Sequence, residues 1–89
     1  GVLLMVEPLE YHPYITYLVR IRDALSGAER WLCDRRTHMP LGFAYRQNAD
    51  LAALNESRQG ANWEYAWVVE VDTRFESISA LALDTSDAA

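Results

Sequence analysis

Cys33 is the single thiol of this 89-residue chain, Asp34 stands beside it, and His38 follows after four intervening residues. A thiolate activated by an imidazole, with a carboxylate to orient the ring, is an arrangement that nucleophilic catalysis uses. The local spacing argues against it. If residues 29–35 form a strand, Cys33 and Asp34 point to opposite faces, and Cys33 reads as a small apolar side chain in the core. A structural zinc site takes four His or Cys ligands in short paired spacings. Cys33, His38 and a distant His12 supply one loose pair, so no metal and no cofactor are expected. Glu64, Glu70 and Asp72 recur at even spacing, which fits a solvated strand face better than a pair of catalytic carboxylates in a cleft. The phosphate-binding glycine loops, the GxSxG turn and the HExxH helix are absent.

Arginine and aromatic residues are the richer resource. All eight basic residues are Arg, and the chain holds three Trp, five Tyr and two Phe. Codon bias in a GC-rich, bacterial-like genome explains the missing lysines, yet Arg also brings planar bidentate donors. Arg, Trp and Tyr are the side chains enriched at interface hot spots. Arg20, Arg22, Trp31 and Arg35 are therefore the expected surface contacts of a non-enzymatic domain that binds another protein or a second copy of itself. One alternative is single-stranded nucleic acid stacked on an Arg–aromatic sheet face. A net charge of −5 opposes it. A second alternative is a small Cys/His enzyme. The enzyme requires a concave pocket holding Cys33 or a histidine, whereas the binding domain requires an Arg–aromatic patch with no pocket.

These residues need elements to position them. Residues 14–36 read either as an interrupted helix or as a hairpin. The run Ile15-Thr16-Tyr17-Leu18-Val19-Arg20-Ile21 is dense in β-branched and aromatic residues, which suit a pleated sheet. Ser26-Gly27 is a turn signal. A hairpin with strands at about 14–23 and 29–35 accounts for both. Thr37–Gly42, with Pro40, breaks the pattern, after which Phe43 either adds a short strand or enters the core. Asn48 is the expected cap of a helix ending at Gly60. Trp63, Tyr65, Trp67, Val69 and Val71 then alternate with Glu64, Ala66, Val68, Glu70 and Asp72, the period of a half-buried strand. The aromatic set is expected in the core, against Leu51 and Leu54 of the helix. Residues 75–83 fit a short helix or an edge strand, and either they or the first strand would offer an edge for pairing.

The expected fold is α+β: a small antiparallel sheet in β-β-α-β order with one helix on one face. The length suits one domain over residues 1–89 with a frayed tail at about 84–89. A single cysteine precludes an internal disulfide and fits the cytoplasm. The apolar run Val2–Val6 is too short for a signal peptide or a bilayer span, so no membrane association is expected. Gly1 reads as a tag remnant, and Met5 as a candidate start that leaves residues 1–4 in doubt as native. Finally, Glu29–Arg36 followed by Pro40–Phe43 resembles the Trp…Pro-x-Gly-Trp pattern of the MbtH-like family, small adaptors of peptide-synthetase adenylation domains. Leu32 follows Trp31 where that family has Pro, Phe43 replaces its second Trp, and its Trp-Thr-Asp-x-Arg-Pro ending is missing. None of its functional residues carries over.

Overall fold

The computed structural model describes residues 11–59 and 64–83. The expected core position of Trp63, the helix stop at Gly60, the tail at 84–89 and residues 1–4 lie outside them. Residues 14–36 form the hairpin. Strand β1 covers Ile15–Asp23 and β2 covers Glu29–Trp31. Asp23 organises the turn: its Oδ1 accepts from the amides of Leu25 (2.7 Å) and Ser26 (3.0 Å), and Gly27 takes a positive φ of 75°. That dihedral costs glycine little and other residues more. Strand β2 is shorter than expected. After Trp31 the chain folds back on itself, with Cys33 bridging Pro40 and Asp34 N–H donating to Met39 O.

Helix α1 (Arg46–Gln59) and strand β3 (Glu64–Asp72) follow, then helix α2 (Ile78–Leu83). Strand order in the antiparallel sheet is β2-β1-β3, so β1 is central and pairs along its whole length with β3. The fold is the expected small antiparallel α+β type, with a second helix added where residues 75–83 were ambiguous. Ser77 caps that helix through Oγ, which accepts from Ala80 N–H at 3.3 Å.

Central position decides the core. Tyr17, Val19 and Ile21 are buried on one face of β1 against Ala49 and Ala53 of α1, with Ala66, Val68 and Phe43 beside them. Leu18 is buried on the other face with Trp31 and Val71, under Ile78 and Leu81 of α2. Two expectations are thereby corrected. Tyr65 and Trp67 lie on the face away from α1, because register places them opposite Arg22 and Arg20. Leu51 and Leu54 are exposed, because α1 turns its alanines inward and so approaches the sheet closely. The helix also begins two residues before Asn48, with Tyr45 O accepting from the amides of Asn48 and Ala49. Of the two expected edges, β1 is interior and 75–83 is a turn leading into helix α2; the long edge strand is β3.

Ion pairs tie α1 and β2 to β3. Arg46 meets Glu70 at 2.8 Å, and Arg30 meets Glu64 at 3.0 Å and Glu56 at 3.4 Å. Pairs this exposed contribute about 0 to 1 kcal/mol each, so alanine packing holds the helix. Among the described residues, no helix is long and apolar enough to cross a membrane. Ala49→Leu should lose about 1–3 kcal/mol in urea unfolding through overpacking, whereas Leu51→Ala should stay within about 0.5 kcal/mol of wild type. Equal losses would mean that α1 presents its other side to the sheet.

Candidate functional site

Arg20 and Trp31 are brought together, but under cover: they are 9% and 8% exposed. The Arg20 guanidinium stacks on the Trp31 ring at 4.6 Å and its Nε donates to Glu29 at 3.1 Å. Trp31 Nε1 donates to Leu81 O at 3.0 Å, which closes α2 over the pair. The expected surface placement of these two residues is therefore corrected. Arg20 belongs to the central strand, opposite Trp31 on one side and Trp67 on the other. Its Nη1 is buried with no hydrogen-bond partner among the described residues. Arg22, two residues along on the same face, is exposed.

Arg22 stands opposite Tyr65 of β3. Tyr65 is 66% exposed and its ring lies 5.9 Å from that of the half-buried Trp67. Arg22, Tyr65 and Trp67 form an open patch on a regular sheet, continuous with the buried Arg20–Trp31 stack. Side chains fixed to paired strands lose little freedom on binding, and Tyr and Trp offer large contact area with few rotatable bonds. Tyr65 and Trp67, expected in the core, line this patch instead. Their period-two spacing placed them on one face, but not on the face left open.

A separate groove of about 580 Å³ runs along β2 between α1 and α2, lined among others by Trp31, Cys33, Arg35, His38, Glu56 and Ala82. Arg35 is exposed here, apart from Arg20 and Arg22. Cys33 is exposed, not a core residue; its Sγ donates to Trp31 O at 3.3 Å and so occupies a carbonyl at the short strand's edge. Asp34 Oδ1 accepts from the amides of Arg36 and Thr37, which forms the tight loop in which His38 has φ 60°. Among the described residues no hydrogen bond joins Cys33 to His38, and no three His, Cys, Asp or Glu gather to hold a metal.

At the far end of the sheet, Arg74 lies over both Tyr14 (4.6 Å) and Phe75 (5.4 Å). Asp72 grips the guanidinium at 3.0 and 2.7 Å. The Arg74 hydrogen bonds hold the Asp72 carboxyl below its ordinary value. Amides of Ser26 and Leu25 do the same for Asp23. Both carboxyls have lower values folded than unfolded, so their stabilisation is full above about pH 4. It should be lost as pH falls further, through the folded values. NMR at falling pH should show the Arg74 Nε–H and the turn amides of Leu25 and Ser26 losing protection together with protonation of these carboxyls; amides indifferent to it would refute the clamp. Comparison with protein-family models, curated proteins and solved structures finds no match, so the MbtH-like resemblance gains no support and the functional reading rests on this geometry.

Proposed function

We propose that the chain is a protein-binding domain whose contact surface is the open sheet face carrying Arg22, Tyr65 and Trp67. The observation that carries this reading is a tyrosine 66% exposed near the start of a regular nine-residue strand, backed by a tryptophan and flanked by an arginine. Most of a hot spot's energy comes from such residues when a partner desolvates them. The exposed arginine supplies direction as well as area, because its planar donors suit a carboxylate or a backbone carbonyl.

A photo-cross-linking residue at position 65, expressed in the cells of origin, should capture a protein. The same residue at Leu25 should not. Arg22→Glu should lower the yield about tenfold or more without altering the circular dichroism. Unchanged yield with Arg22→Glu, or equal capture from position 25, would sink the assignment.

One observation favours a second reading: a concave groove is present, and it holds both Cys33 and His38. In that reading the thiol is a nucleophile for a small electrophilic substrate, with His38 as base. Native Cys33 should alkylate with iodoacetamide, since it is exposed. Catalytic activation would make the alkylation rate fall on His38→Ala. A rate that ignores His38→Ala would leave Cys33 with its edge-capping role.

A further inference from the structure

We propose that the partner for this surface is a second copy of the chain. The two copies join through the outer edges of their β3 strands, antiparallel about a two-fold axis, so that two three-stranded sheets become one sheet of six. The inference rests on reading the Tyr65–Trp67 surface as protein-binding and names what it binds.

Hydrogen-bond phase decides which groups β3 offers. Thr73 N–H donates to Tyr14 O at one end of the β1–β3 ladder. Bonding alternates in an antiparallel pair, so Tyr65, Trp67, Val69 and Val71 direct their backbone groups at β1. Glu64, Ala66, Val68, Glu70 and Asp72 direct theirs outward. Consistent with that phase, Ala66 N–H meets Ser57 Oγ at 3.3 Å instead of β1, a bond that edge pairing would exchange for a carbonyl of the added strand. Among the described residues no strand pairs with this edge. It is nine residues long, with no proline and no lysine, so the charges that guard this edge are its acidic residues alone. Its acidic residues are each met by an arginine of the same chain: Glu64 by Arg30, Glu70 by Arg46 and Asp72 by Arg74.

Self-complementarity selects a second copy over an unrelated peptide. The register that sets Val68 opposite Val68 of the second copy uses the whole strand. It also opposes Trp67 to Val69 of the second copy, both only half-buried. Aromatic against β-branched is a favourable cross-strand pairing, and one sequence supplies both halves. The helices fit the same arrangement. Helix α1 packs over the β1–β3 seam, touching Tyr17, Val19 and Ile21 of β1 and Ala66 and Val68 of β3. That seam is about 4.8 Å, one strand spacing, from the axis. Two α1 helices would therefore lie about 10 Å apart, the distance at which helices pack. Leu54, 47% exposed, is one turn from Ser57 on the flank of α1 nearer the β3 edge, and the pairing would cover it.

Sedimentation and light scattering on the full chain should give twice 10.2 kDa. Leu54→Arg, at an exposed position, should keep the circular dichroism and weaken the dimer at least tenfold. Leu54→Cys in a Cys33→Ser background should form a disulfide-linked dimer on mild oxidation, whereas Leu25→Cys should not. A mass of one chain up to about 100 µM, or a dimer indifferent to Leu54→Arg, would overturn the pairing. A monomer whose position 65 still cross-links to a different protein would leave the binding surface standing and remove the second copy alone. A monomer with no cross-link at all would remove both.

Discussion

Strand β1 is buried on both faces, and the rest of the molecule is arranged around that constraint. A central strand in so small a sheet needs cover from two sides. Helix α1 supplies one cover through Ala49 and Ala53. The other is α2, only six residues long, which would be marginal alone. It is held by Ile78, Leu81 and the Trp31 indole bonded to the Leu81 carbonyl. Trp31 thus joins β2 to α2 while its ring lies against β1's one buried charge.

That charge is Arg20. Removing a guanidinium from water is costly, and one carboxylate at 3.1 Å with one indole face offsets part of the cost. Glu29 is itself only partly buried, and Nη1 has no hydrogen-bond partner among the described residues. An apolar residue in this place would strengthen the core in isolation. The arginine instead makes a polar spine through the α2 face, which continues outward to Arg22 and Tyr65. The open patch and the buried stack are one chemical series sorted by depth.

Two further surfaces are organised by local hydrogen bonds. The Asp34 carboxylate and the Cys33 thiol satisfy backbone groups where β2 ends early and the chain reverses. Asp72 holds Arg74 between two exposed rings, with Phe75 81% exposed. Short side chains bearing oxygen or sulfur suit such places because backbone donors and acceptors at a strand's end need partners.

Residue types and spacing alone determined the hairpin, the positions of β1 and β3, the helix between them and the α+β class. β-Branched runs, a Ser-Gly turn and period-two alternation are local signals, set by backbone sterics within a few residues. Alternation also determined that Tyr65 and Trp67 share a face. Only the tertiary structure decided which face that was, because β1 and β3 carry apolar residues in both phases and either phase could have met the alanine helix. It likewise decided that Arg20 and Trp31 lie beneath α2, that Cys33 stands in a groove, and that β3 is the long edge. Those outcomes depend on strand order and on which element covers which side. They are set by contacts between residues far apart in the chain, as Trp31 and Leu81 are at fifty positions, and no local pattern carries them.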